Sequence, residues 1–226
     1  MKKSNIYLLS ILCSVTLFII LGALVSVARG KKSSYDNSSN SSVPAYSHIV
    51  LKNTNYDVEV KTGDKYEMKI RFNREEEKFE IPFNVRQDTL FLSKLPSDLV
   101  DKIKAIELNI PIDNLDIKAQ KSRIDLNSYL GKSLKIELDQ AESNIYKSSE
   151  NGFSFINIQC INKSKFYSRS KCDRLQLDVR DSDFENWGAV GNITGSVKDK
   201  SSVMINEPGE TKLEKDKESK VQYFYN

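Results

Sequence analysis

Beyond residue 114 the chain repeats a short alternation of apolar and polar positions. Leu115, Ile117 and Ala119 open the series. They are followed by Leu134, Ile136 and Leu138, by Ile156, Ile158 and Cys160, by Leu175, Leu177 and Val179, by Ile193, Gly195 and Val197, and by a degraded sixth member, Leu213 with Lys215. The starts lie 19, 22, 19, 18 and 20 residues apart. After each alternation comes a serine two places before an apolar residue: Ser122 and Ile124, Ser143 and Ile145, Ser164 and Phe166, Ser182 and Phe184, Ser201 and Val203, Ser219 and Val221. Alternation at period 2 marks strand rather than helix, and a shared period near 20 marks a stacked repeat.

Each unit is therefore predicted to hold two short strands and two turns, stacked on the unit before it at about 4.8 Å. Six units make a β-solenoid about 25 to 30 Å long. Its interior would be a ladder of Leu115, Leu134, Ile156, Leu175 and Ile193. Residues two apart on a strand face the same way, so each serine faces inward with its apolar partner. There its hydroxyl can bond backbone groups that a corner leaves unpaired. On this reading Ser143 and Ser164 are aligned corner residues.

Ahead of the repeat, residues 56–60 (YDVEV) and 66–72 (YEMKIRF) flank a Thr-Gly-Asp turn and predict a hairpin. A charged turn at 74–78, a strand near 79–85 and another at 88–92 follow. Residues 97–106 (SDLVDKIKAI) predict a short helix capped by Ser97, and strand resumes at 107–112. Unpaired strand edges at the ends of a solenoid invite other chains. The lead-in strands and the helix would close one end, and the Lys/Glu-rich 211–220 with the aromatic tail 223–226 the other.

The longest apolar stretch lies elsewhere, at residues 6–28, without a charge. As a helix it would span about 34 Å, enough for a bilayer core of about 30 Å and longer than a secretory signal core of about 7–15 residues. A transmembrane anchor is expected, with cleavage after Ser26-Val27-Ala28 as the alternative. Residues 29–45, rich in Ser and Asn, read as a flexible linker to an exported domain. The expected organisation is an anchor at 1–28, the linker at 29–45 and a solenoid domain at 46–226, divided into lead-in strands at 46–114 and rungs at 115–226.

Composition narrows the function. A net charge of +3, with 34 basic and 31 acidic residues dispersed along the chain, provides no footprint for nucleic acid. Of the three cysteines Cys13 lies in the apolar segment, leaving Cys160, predicted to be a buried thiol, and Cys172, predicted in a polar connection. Their spacing forms no metal motif.

The segments at 56–70 (YDVEVKTGDKYEMKI), 88–92 (DTLFL) and 106–126 (IELNIPIDNLDIKAQKSRIDL), with the serine-spaced rungs after them, resemble the bacterial auto-transporter adhesin head GIN domain family of Bacteroides-type envelope proteins. The likeness spans about residue 46 to the C-terminus, although the Ser-Gly usual in the family's rungs mostly lacks its glycine here. The resemblance implies a right-handed β-helix exported to the envelope. It implies no catalytic residues and no cofactor.

The expected function is a membrane-tethered extracytoplasmic module with a structural or adhesive role, its anchor in the bilayer at 6–28 and its domain in the periplasm. No catalytic, cofactor-binding or metal-binding residue is assigned. The alternatives are an envelope sensor or assembly partner and a β-helix enzyme acting on polysaccharide. The enzyme would draw on Asp139, Asp178, Asp181 and Asp183 with Arg174 and Arg180. Solvated turns explain these acids more simply. His48, the one histidine, offers little for nucleophilic chemistry. Trp187 could stack on a sugar, but it is expected to pack at a rung edge.

Overall fold

The structure, a computed structural model, describes residues 15, 16, 18–21, 37–73, 79–146 and 152–225. Residues 15, 16 and 18–21 are helical, and among the described residues no helix is long and apolar enough to cross a membrane. Most of the anchor expected at 6–28 lies outside the described residues, as does the charged turn at 74–78.

From Ser38 onward the regular structure of the described residues is β-strand apart from one short helical turn. Six successive rungs each place one strand in either of two parallel sheets. They are β8(Asn114–Gln120) with β9(Arg123–Ser128), β10(Ser133–Asp139) with β11(Glu142–Ile145), β12(Phe153–Ile161) with β13(Lys165–Ser168), β14(Cys172–Arg180) with β15(Asp183–Asn186), β16(Val190–Lys198) with β17(Ser202–Asn206), and β18(Pro208–Lys215) with β19(Lys220–Phe224). The even-numbered strands form sheet 2 and the odd-numbered ones sheet 1. Register follows the predicted ladder, with Leu115 on Leu134, Leu134 on Ile156, Ile156 on Leu175 and Leu175 on Ile193. Inward residues of both sheets share one core. On sheet 1 Phe166 and Phe184 stack with ring centres 5.2 Å apart. A fully buried side chain of this size is worth about 1.5–3 kcal/mol.

The lead-in region departs from the sequence reading in three ways. First, it extends the column: β2(His48–Lys52) with β3(Asp57–Thr62) stacks in parallel on β8 and β9, and β6(Thr89–Ser93) with β7(Ile103–Ile110) stacks in parallel on β2 and β3. Second, the expected hairpin of β3 with β4(Glu67–Phe72) does not form, because β7 lies between them, antiparallel to β4. Gly63 serves a close approach there, since a Cβ on it would stand 2.9 Å from Asn109 Cβ. Third, the expected helix at 97–106 shrinks to α1(Ser97–Val100), preceded by Pro96 in the capping place. Ile103, Ile106 and Leu108 are claimed by β7 instead, where they are buried. Three or four turn residues cannot outweigh a strand paired on both edges.

Antiparallel strands cover this end: β5(Asn84–Arg86) lies on β6, and β1(Ser38–Ser42), within the segment read as flexible linker, lies on β4. The strand expected near 79–85 is reduced to β5.

Non-glycine residues with positive φ stand at successive corners from sheet 2 to sheet 1: Asn53, Lys121, Gln140, Asn162 with Lys163, Asp181, and Asp199 with Lys200. After each comes a buried slot residue, and the serine hydroxyls link these slots. Ser122 Oγ accepts from Thr54 N (3.1 Å), Ser164 Oγ from Ala141 N (3.2 Å), Ser182 Oγ from Ser164 N (3.1 Å), Ser201 Oγ from Ser182 N (3.3 Å) and Ser219 Oγ from Ser201 N (3.2 Å). Ser122, Ser164 and Ser182 also donate to carbonyls just before their corners, at 2.8, 2.6 and 2.9 Å. Each hydroxyl thus satisfies a donor and an acceptor that the corner removes from the ladder, at a net gain of about 0.5–1.5 kcal/mol per bond.

Ser143 does not belong to this ladder. It is fully buried as expected, but its register partners are Ile124 and Phe166, and Ala141 fills the slot. Ala141, Ser143 and Ile145 share one parity, and the single residue Gln140 turning the corner sets the phase two places earlier than the serine pattern implied. The Ser143 hydroxyl is left buried without a hydrogen-bond partner among the described residues. Cys172 is a second correction: it opens β14 and is buried, so it is no part of a polar connection. Cys160 is the buried thiol expected, and both cysteines are free.

Candidate functional site

Every rung turns alternate side chains of β9, β11, β13, β15, β17 and β19 outward on sheet 1. The register lines up Arg123, Glu142, Lys165, Asp183, Ser202 and Lys220 in one column and Asp125, Asn144, Tyr167, Glu185, Met204 and Gln222 in the next. Just past the strand ends come Tyr146, Arg169 and Trp187. Arg169 and Trp187 donate their N–H groups to Ile145 O and Ser168 O at 2.9 and 2.8 Å, which pins both to the rung below.

Aromatic rings gather along this edge. Tyr146 and Tyr167 lie with ring centres 5.6 Å apart, and Trp187 stacks on Phe224 at 5.5 Å. Tyr146 remains 47% and Trp187 42% exposed. Trp187 therefore packs at a rung edge, as expected, and still offers surface to solvent. Its Nε1 donates to Glu185 at 3.2 Å. The Arg169 guanidinium lies 5.6 Å from the centre of the Tyr167 ring, and its Nε donates to the Tyr167 hydroxyl at 2.6 Å.

Between these groups lies a cleft of about 310 Å³ lined by Glu142, Asn144, Tyr146, Lys165, Phe166, Tyr167, Asp183 and Glu185. Asn144, almost fully buried, donates to Asp125 at 2.8 Å. Burial pushes the Asp125 carboxyl above its ordinary range, against the opposing pull of the Asn144 hydrogen bond and of Arg123. Exposed aromatic surface edged by polar groups is characteristic of interaction sites.

On the outer face of sheet 2, which exposes Phe91, many charges answer one another. Glu137 binds Lys118 at 2.8 Å and Lys135 at 3.0 Å. Burial works against its charge, but these two ammonium groups hold its carboxyl below the usual range. Asp139 accepts from Gln120 and Asn162, and Asp178 from Arg180 and Ser196.

The residues considered for polysaccharide chemistry are dispersed. Asp139 and Asp178 are on sheet 2, two rungs apart and two residues out of register, about 12 Å between their backbones. Asp181 turns a corner, and Asp183 is on sheet 1. Arg174 covers the Phe155 ring and Arg180 is paired to Asp178.

His48 is in richer company than the sequence indicated. Its Nδ1 is 3.6 Å from Asp88 and its Nε2 3.4 Å from Asp116, with Ser47 Oγ 2.9 Å from Nδ1. A serine beside a carboxylate-oriented histidine can be an activated nucleophile. Here the Ser47 hydroxyl is bound by the Asp88 carboxylate, and the N–H groups of Ser47 and His48 both donate to Asp88 O at 3.1 Å. Neither amide is free to hold an oxyanion. The cluster instead fastens the start of β2 to the β5–β6 turn.

No family model matches the sequence, and no curated protein matches it. Among solved structures the chain is similar to a candidate adhesin from Bacteroides fragilis at 12% identity and a TM-score of 0.48, over 84% of this chain and 96% of that one. It is also similar to a candidate adhesin from Parabacteroides distasonis at 12% identity and a TM-score of 0.45, with the same coverage.

Proposed function

We propose that the chain is a membrane-tethered, extracytoplasmic β-solenoid of the head GIN type that binds another envelope molecule through the outer face of sheet 1 and performs no catalysis. The observation that carries this reading is the row of rings on sheet 1, where Tyr146 and Tyr167 line a cleft and Trp187 stands one rung on; among the described residues sheet 2 exposes a single such ring, Phe91, among charges that largely pair. The uncharged segment at residues 6–28 supports the tether, and the polar Ser/Asn-rich spacer after it supports the periplasmic placement.

The test compares the full-length protein in lipid nanodiscs with a Tyr146→Ala/Tyr167→Ala/Trp187→Ala variant, measuring co-sedimentation with isolated envelopes. Binding that falls in the variant, while the strand-type circular dichroism persists, is the expected result. Equal binding by both proteins would refute the assignment of the face. A periplasmic domain requires that a C-terminal tag be cut by protease in spheroplasts and spared in intact cells.

A further inference from the structure

The sheet 1 cleft has a charge pattern that selects its occupant. Among the described residues Glu142, Asp183 and Glu185 have no basic group within ion-pair distance. The acids closer to the lead-in end of the same face do: Glu59 and Glu107 share Lys61 and Arg71, and Asp125 has Arg123 at 3.7 Å. Lys165 is the one cation among the residues that line the cleft, with Arg123 beside Glu142 and Arg169 on Tyr167 at its margins, so carboxylates outnumber the cation within the lining. Beside them the rings of Tyr146 and Tyr167 are in place, and Tyr167 already carries the protein's own Arg169 guanidinium. A cation held over an aromatic face gains about 0.5–2 kcal/mol, and a carboxylate beside it adds a charge-assisted hydrogen bond.

We infer that this cleft docks a basic segment of a partner protein, with an arginine or lysine side chain placed against Tyr146 and Tyr167 and its charge met by Glu142, Asp183 and Glu185. The inference rests on the reading of sheet 1 as the binding face and adds the chemistry of the partner. Planar guanidinium groups satisfy both the ring and the carboxylates, which favours a peptide over an amino sugar.

The test uses the full chain in nanodiscs and a fluorescein-labelled arginine-containing peptide, with the same peptide carrying citrulline in place of arginine as control, read by anisotropy. The arginine peptide should bind and the citrulline peptide should not. Affinity should fall with added salt, and by about tenfold or more in a Glu142→Gln/Asp183→Asn/Glu185→Gln variant. These substitutions lie on the outer face and leave the core untouched. Equal affinity for both peptides, or an unchanged affinity in the neutralised variant, would overturn the inference. So would binding of glucosamine oligomers without binding of the peptide. If envelope binding survives neutralisation but is lost in the aromatic variant, the partner chemistry is wrong and the face is right. If neither variant changes it, both fail.

Discussion

The two ends of the solenoid are closed by different means. At the end nearest β7, the chain itself does the closing: β4 and β5 run antiparallel to the outermost parallel layer, and the polar, five-residue β1 finishes the edge. At the other end β18 and β19 are the edge strands among the described residues, and side chains take over. Ser219 N–H, which one rung earlier would bond the next serine hydroxyl, donates to Asp216 Oδ1 at 2.8 Å, while Asp199 N–H donates to Oδ2 at 2.7 Å. Lys215 takes the place that Val179 and Val197 hold in the rungs before, and its ammonium donates to Asp216 O and Ser219 O. A charge set into an apolar column at an edge prevents another chain from stacking on it. With both ends closed, the flanks are left as the open surfaces of the column.

The largest expected effect tests the strand-closed end. Leu108 is fully buried in β7 between β3 and β4, and Leu108→Ala should cost about 2–5 kcal/mol in urea denaturation. Leu213→Ala, half-buried in the final rung, should cost clearly less; equal losses would erase the distinction between the ends. Inside the column, Ser182→Ala removes the acceptor for Ser164 N–H and should cost about 1–3 kcal/mol.

Replacing the guard residue, Lys215→Leu, should raise the sedimenting mass above that of the wild type, while Lys69→Leu on β4 at the opposite end should not. Asp216 offers a subtler test. A hydrogen bond from the Ser219 hydroxyl, then amide bonds from Asp199, Ser219 and Glu218, hold its carboxyl below the usual range. A lowered folded pKa means its contribution is present above the ordinary carboxylate pKa and lost as pH falls through the folded one. Hydrogen exchange at Asp199, Glu218 and Ser219 should therefore accelerate, relative to the intrinsic rate, as pH drops below the usual carboxylate range, and at neutral pH in Asp216→Ala. Acidification that leaves their protection unchanged would show that Asp216 does not terminate the ladder. The smallest effect is a gain: Ala141→Ser supplies the hydroxyl missing opposite Ser122 N–H and should stabilise by about 0.5–1.5 kcal/mol.

The rungs were legible because their apolar figures recur at a fixed period, and stacking brings equal positions into register whatever the turns between them. The phase within a rung was less legible. Ser143 and Ala141 fit the alternation equally well, and only the backbone at Gln140 chooses between them. Lys121 and Gln140 turn corners without being the Gly or Asn that usually marks positive φ. The insertion of β7 between β3 and β4 left no local mark either, since it joins residues far apart in the chain. The proposed binding face shows the same limit: Tyr146, Tyr167 and Trp187 are single residues about one rung apart, and they become a group only once the rungs are stacked.

By itself, then, the sequence determined the class of the molecule, the period and inward ladder of its rungs, the burial of Cys160 and the serine chemistry of the corners. All of these follow from local alternation of side chains with solvent. Tertiary structure alone decided the order of the lead-in layers, the slot filled by Ala141, the closing of the ends and the company around Tyr167 and His48. Those features arise from pairings between distant segments, whose free energies exceed the local preferences that a sequence displays.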